Sequence, residues 1–174
     1  MNEPMGQPNR ITLHWTASGY SQVFPDYHGC IKGDGVRVAT RPLTVKGAHT
    51  WGRNSGNIGE SLCGMAKGCP IKPVQIETMA ATVAEHATRY GIALRGVVKL
   101  PKMKVQGGVL VPVPGQWILA PTVADHAWYA KADGYFPDRW DIGDLYHEVL
   151  EKAVWYHEQL RLGRRQFQHT GPRR

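Results

Sequence analysis

Residues 11–18 read ITLHWTAS, and they contain the first regular pattern in the chain. Apolar Ile11 and Leu13 alternate with polar Thr12 and His14, which is the pattern of a β-strand with two unlike faces. A histidine near the end of a rigid strand can project into a cleft. The stretch therefore predicts an opening strand that carries one candidate functional side chain.

The segments that follow predict a mixed α/β domain in which helices pack on one sheet. An Asp-Gly pair at residues 34–35 lies between two apolar runs and is a strong hairpin signal. A proline in the first turn and a glycine after the last residue delimit the clearest helix. The predicted elements are strands at residues 11–15, 27–31, 36–40, 57–64 and 122–126, helices at residues 73–90 and 144–162, and a hairpin or extended loop at residues 99–120.

Length and composition exclude several classes of protein. A chain of 174 residues with 42% hydrophobic and 20% charged residues suits one folded domain and excludes disorder throughout. No apolar run approaches the ~18–20 residues of a membrane helix. Residues 1–10 are polar and lack the apolar core of a secretory signal, which predicts synthesis in the cytoplasm without a signal peptide. We expect an N-terminal extension at residues 1–10, a catalytic domain at residues 11–162 and a mobile, basic tail at residues 163–174.

The net charge is +7, because 21 Lys and Arg residues face 14 Asp and Glu residues. Residues 152–174 hold six basic residues and one acid, Glu158. Such an end suits an anionic partner, such as a bacterial envelope surface, or serves only to keep the chain soluble. No helix-turn-helix, zinc-finger or RNA-recognition pattern accompanies the charge, so nucleic acid is not an expected partner.

The three cysteines, Cys30, Cys63 and Cys69, are an odd number and form no CxxC motif. The sequence therefore predicts reduced thiols rather than a disulfide framework, and it gives no support for a zinc ribbon or a thioredoxin-type site.

Two of the eight histidines stand apart from the others. His14 and His126 lie near the ends of predicted strands, whereas the other positions suit helix surfaces, loops or the tail. Two imidazoles and one carboxylate form the ligand set of a catalytic zinc site, whose fourth position stays open for water. Zinc lowers the pKa of that water to ~7. No compact HExxH motif marks the site, so residue spacing alone supports it only weakly.

Several short segments, taken in order, resemble one family. This family is the zinc-dependent N-acetylmuramoyl-L-alanine amidases, which includes phage amidase-type endolysins, bacterial muropeptide-recycling amidases and peptidoglycan recognition proteins. The resemblance implies a single domain with a central mixed β-sheet flanked by helices. The segments are ITLHWTAS (residues 11–18), YHGCIKGDG (27–35), AHT (48–50), NIGESL (57–62), RYGI (89–92), DHA (125–127) and RWDI (139–142).

The resemblance implies a Zn²⁺ cofactor held by His14, His126 and a third ligand. In the family that ligand follows the second histidine and has a basic residue two positions before it. Asp141 and Asp133 both meet this description. We predict Asp141, and Asp133 remains the alternative.

The resemblance also implies roles around the metal. The basic residue before the third ligand stabilises the oxyanion of the transition state, and it is Arg139 if Asp141 is the ligand or Lys131 if Asp133 is. Tyr27 matches a catalytic tyrosine beside the metal in phage members. His49 matches a loop position that faces the substrate in relatives. Glu60 is offset by one residue from a catalytic glutamate of the recycling amidases, so this role is not assigned to it.

These residues together imply a peptidoglycan hydrolase that cuts the amide bond between N-acetylmuramic acid and L-alanine. The leading hypothesis is a monomeric phage endolysin that acts on the cell wall in the periplasm. Its basic C-terminal helix and tail are candidates for contact with an anionic envelope surface. The alternatives are a cytoplasmic muropeptide-recycling amidase and, with less support, a peptidoglycan-binding module without activity.

Overall fold

The computed structural model describes residues 3–135 and 141–164 of the chain. Within these ranges the elements follow the predicted alternation of strands and helices. In chain order they are β1 (Arg10–Trp15), β2 (Gly29–Ile31), β3 (Arg37–Ala39), β4 (Asn57–Leu62), α1 (Pro73–Tyr90), β5 (Val97–Gln106), β6 (Val109–Pro121), β7 (Val123–Asp125), α2 (His126–Asp133) and α3 (Leu145–Arg161).

Strand β1 lies inside a five-stranded sheet of order β3-β2-β4-β1-β7. It pairs in parallel with β4 on one side and with β7 on the other. Strand β2 is parallel to β4 and antiparallel to β3, so the sheet is mixed. This architecture confirms the predicted single α/β domain with a central mixed sheet and flanking helices.

The two faces of β1 meet different layers of the protein. Ile11 and Leu13 are fully buried in the main hydrophobic core, together with Met79 and Val83 of α1 and Val149 of α3. Full burial of a side chain of this size contributes ~1.5–3 kcal/mol. The polar residues of β1 therefore face away from this core, toward the layer that contains α2 and β5.

Helix α1 forms as predicted, from Pro73 to Tyr90. Proline fits its first position because the missing N–H would have no partner inside the helix there. Gly91 ends the helix with a φ of 66°, a conformation that glycine adopts without strain. The Gln75 amide donates to the carbonyl oxygens of Ile31 and Cys63, at 3.0 and 2.8 Å. These bonds tie the start of the helix to the ends of two strands.

The prediction of a strand through residue 126 is wrong at its end, because His126 begins helix α2. The carboxylate of Asp125 accepts a hydrogen bond from the Trp128 backbone N–H at 2.8 Å, which caps the new helix. Gly134 ends the helix with a φ of 74°. The cap residue and the terminal glycine are both visible in the sequence, but the helix is only two turns long.

Glu60 is buried on the face of the sheet that α1 covers. Its carboxylate accepts hydrogen bonds from the Arg37 guanidinium at 2.9 and 2.6 Å, and it lies 3.0 Å from His86 Nε2 of α1. Burial raises the pKa of Glu60, but the opposing effect of Arg37 and His86 is larger and brings it to about 2. Glu60 therefore stabilises the packing of α1 on the sheet, and it lies on the face opposite to His14.

The two predicted terminal segments, residues 1–10 and 163–174, lie on either side of the predicted catalytic domain. Near the N-terminus, Met5 is 1% exposed and belongs to the main core, and Pro4 forms a β-bridge with Val45. At the other end α3 stops at Arg161, and residues 165–174 of the predicted tail lie outside the described residues. Among the helices that the structure describes, none has the length and hydropathy of a transmembrane span.

Candidate metal centre

The carboxyl ends of β1 and β7 place two histidines side by side. His14 lies near the end of β1, opposite Ser61 of β4. His126 directly follows β7, which pairs with the other side of β1. The centroids of the two imidazole rings are 4.9 Å apart. Because the strands are parallel neighbours, their carboxyl ends meet at one edge of the sheet, where ligands bind in open α/β folds.

Asp141 completes a cluster with the two histidines. Its Oδ2 lies 3.1 Å from His126 Nδ1 and 3.5 Å from His14 Nδ1. One ligand atom from each of the three residues lies within 4.8 Å of the other two, and all three residues are buried. Two imidazole nitrogens and a carboxylate oxygen are the donors of a three-ligand catalytic zinc site. The chemistry and spacing of these donors fit a divalent ion.

Asp133, the other candidate ligand, faces a different partner. Its carboxylate accepts hydrogen bonds from Arg53 Nε at 2.8 Å and Nη2 at 2.6 Å. Both side chains are at most 3% exposed, so they form a bidentate ion pair inside the protein. The structure therefore brings Asp141, and not Asp133, to the histidine pair.

Lys131 and Arg139 are the two candidates for the cation that stabilises the oxyanion. Lys131 is exposed in the last turn of α2. Arg139 lies outside the described residues.

A chain of hydrogen bonds runs from His14 away from the cluster. His14 Nε2 lies 3.1 Å from His49 Nδ1, and His49 Nε2 lies 3.2 Å from the carbonyl oxygen of Asn57. Because a carbonyl only accepts, Nε2 of His49 carries the proton and its Nδ1 accepts from His14. This tautomer of His14 directs the Nδ1 lone pair toward Asp141.

His49 is held in this chain by close packing. Thr50 Oγ1 lies 2.9 Å from His49 Nδ1. A Cβ atom on Gly59 would lie 2.4 Å from the His49 ring, so only glycine at this position of β4 leaves room for the imidazole. Burial lowers the pKa of His49 well below its usual value, and the neighbouring His14 lowers it further. The ring is therefore neutral, as the hydrogen-bond chain requires.

Tyr135 contacts His126 in a similar way. Its hydroxyl lies 3.3 Å from His126 Nε2, and its ring packs edge-on against Trp51 at 5.2 Å. Tyr135 thus forms a hydrogen bond with the ring nitrogen of His126 that does not face Asp141, and this contact helps to fix the orientation of the imidazole. The sequence analysis missed Tyr135, because an aromatic residue just after a short helix carries no distinctive signal.

A cleft of about 430 Å³ reaches the cluster at His126. Tyr27 lines it, and the Tyr27 ring centroid is 5.0 Å from that of His14. His49 forms part of the floor, with 6% of its surface exposed, and Trp51 forms an exposed wall. The residues that line the cleft are Asp26, Tyr27, Ala48, His49, Trp51, Asn54 and His126.

Comparison with protein families matches residues 4–134 of the chain to the N-acetylmuramoyl-L-alanine amidases. The matched range contains β1, β7, His14 and His126, and it ends before Asp141. A search of curated proteins gives no match.

Several solved structures share the fold. The N-acetylmuramoyl-L-alanine amidase LysC from Clostridium intestinale matches with a TM-score of 0.59 and 16% identity, over 88% of this chain and 90% of that one. The Ph2119 endolysin from a Thermus scotoductus bacteriophage matches with a TM-score of 0.59 and 15% identity, over 87% and 89%. The hydrolase AmiA from Staphylococcus aureus, solved with its ligand, matches with a TM-score of 0.52 and 16% identity, over 92% and 77%.

Proposed function

Because the chain belongs to the N-acetylmuramoyl-L-alanine amidase family, we propose that it hydrolyses the amide bond between N-acetylmuramic acid and L-alanine in peptidoglycan. The observation that supports this proposal most directly is the buried cluster of His14, His126 and Asp141, whose His126 lines a cleft together with Tyr27 and His49. We propose that these three residues hold Zn²⁺, the cofactor that their donor atoms suit.

The reaction needs an activated water and a stabilised oxyanion. A zinc ion at this cluster would supply Lewis acidity and a water of lowered pKa. Tyr27 lines the cleft beside His14, where its hydroxyl can donate to the oxygen of the scissile carbonyl as negative charge develops. We assign the second stabilising charge to Arg139, on the resemblance of its RWDI segment to phage amidases.

We propose that the protein acts as an endolysin on the polymeric cell wall in the periplasm. The exposed Trp51 lines the cleft and is accessible to a polymeric substrate, and the net charge of +7 suits an anionic wall. Phage origin is part of this proposal, as is action by a monomer. The second candidate function is muropeptide recycling, which the shared family permits.

Hydrolysis of purified sacculi tests the reaction. We expect new L-alanine amino termini to appear without new reducing sugar ends, and we expect EDTA to abolish turnover and added Zn²⁺ to restore it. New reducing ends would instead indicate a glycosidase, and full turnover after removal of the metal would exclude the zinc mechanism. Faster turnover of soluble anhydro-muropeptides than of sacculi would favour the recycling function.

We further propose that His49 positions His14 for the metal, which differs from the substrate contact that the sequence analysis predicts for it. The His14–His49–Asn57 chain holds one tautomer and one ring orientation of His14. Mutation of a residue that forms a hydrogen bond with a metal-binding histidine typically lowers the metal affinity 10–100-fold. The two roles predict different measurements, since a positioning residue changes zinc affinity and a substrate contact changes KM.

Replacement of His49 with leucine is expected to weaken zinc binding by roughly 10–100-fold. Competition with a chromophoric chelator measures the affinity without any turnover. His49→Asn, whose Oδ1 lies close to the place of Nδ1 and can accept from His14, should recover part of the affinity, and His147→Leu at an exposed position of α3 is the matched control. Unchanged zinc affinity with a raised KM for sacculi would show that His49 contacts substrate instead.

A further inference from the structure

Strands β5 and β6 form a long antiparallel hairpin over residues 97–121. One face of it packs on the domain. Leu100 and Ala120 are buried against Tyr129 of α2, and Leu110 lies close to Gly52 in the loop beside the cleft. The hairpin is thus held in place at both ends, and its other face turns outward.

The outward face is unusually apolar. Val97, Trp117 and Leu119 are 62%, 56% and 65% exposed, and Val109 near the tip is 55% exposed. These four are among the eleven exposed large hydrophobic residues in the described part of the chain, and a fifth, Val105, lies on the other face of the hairpin, opposite Leu110. Contiguous exposed apolar residues on a soluble domain usually mark an interaction surface.

The charge on the hairpin has one sign. Residues 97–121 contain Lys99, Lys102 and Lys104, all exposed, and no Asp or Glu. Lys99 pairs across the strands with Leu119, and its ammonium lies 4.9 Å from the centre of the Trp117 ring. Cationic and apolar groups are therefore interleaved on one surface.

We propose that this outward face docks on an anionic lipid surface. Aliphatic groups such as Val97 and Leu119 gain free energy when they leave water for the lipid interface, and they gain little from a hydrated polysaccharide. Tryptophan favours the level of the lipid headgroups, and lysine stems reach along an apolar face to place their charge beside phosphates. The chemistry of the face thus favours lipid over the glycan strand as its occupant.

Co-sedimentation of the full chain with vesicles tests the proposal. We expect binding to vesicles of phosphatidylcholine and phosphatidylglycerol, loss of binding to phosphatidylcholine alone, and weaker binding in 0.5 M salt. Each lysine near an anionic surface contributes roughly fivefold in affinity, so Lys99→Gln/Lys104→Gln should bind roughly 25-fold more weakly. Trp117→Ser/Leu119→Ser should also reduce binding, whereas Trp155→Ser, an exposed tryptophan on α3, should not.

Three outcomes would overturn the proposal. They are equal binding to neutral and anionic vesicles, unchanged binding by both hairpin variants, and loss of vesicle binding only when the chain is truncated after Gly163. Hydrolysis of lipid-free sacculi by the hairpin variants is expected to match the unaltered protein. The result with vesicles therefore does not depend on whether the proposed amidase activity is correct.

Discussion

Replacement of Asp141 with asparagine is expected to abolish both zinc binding and hydrolysis of sacculi. The change keeps the shape of the side chain but removes the only carboxylate within reach of both His14 and His126 in the described cluster. Loss of an outer partner of a metal ligand costs 10–100-fold in affinity, so loss of a ligand should cost more than about 100-fold. Metal content after dialysis and the rate of amide hydrolysis measure the two effects.

The fold of this variant must be checked separately from its chemistry. Asp141 is 3% exposed, and asparagine keeps its size and shape, so thermal unfolding of the zinc-free variant and the zinc-free parent should be similar. A zinc-loaded Asp141→Asn protein with normal turnover would show that another group is the third ligand.

Replacement of Asp133 with alanine is expected to destabilise the protein without removing its zinc site. The change leaves the Arg53 guanidinium buried without its bidentate partner. Breaking a buried pair in this way costs about 3–5 kcal/mol in the free energy of unfolding. Urea denaturation measures the loss, and the folded fraction should still bind zinc.

Two controls make the stability prediction specific. Glu151→Ala removes an exposed partner of Arg95 at 2.6 Å and should change stability by less than about 1 kcal/mol. Asp133→Leu combined with Arg53→Met removes both charges and should recover much of the loss, because no buried charge is then left alone. If Asp133→Ala instead folds normally and loses zinc, Asp133 rather than Asp141 is the third ligand.

Local patterns predict most of the secondary structure correctly. The alternation in residues 11–15 and the proline and glycine around α1 act within a few residues, so they can be interpreted without knowledge of the fold. Helix α2 was missed because the apolar run before it continues the strand pattern up to His126. Asp125 is a residue type that favours the N-cap of a helix, but the preceding apolar residues favour a strand and led to the wrong end of that strand.

The fold class, the family resemblance and the two strand-borne histidines can all be predicted without a structure, because they depend on local periodicity and on short motifs in order. The aspartate that lies beside the two histidines, and the side chain that lies behind His14, follow from the packing of the folded chain. Asp133 and Asp141 are alike in sequence context, and His49 is separated from His14 by 35 positions. Their partners are set by how α2 and the loop around residue 50 pack on the sheet, and no local pattern encodes that arrangement.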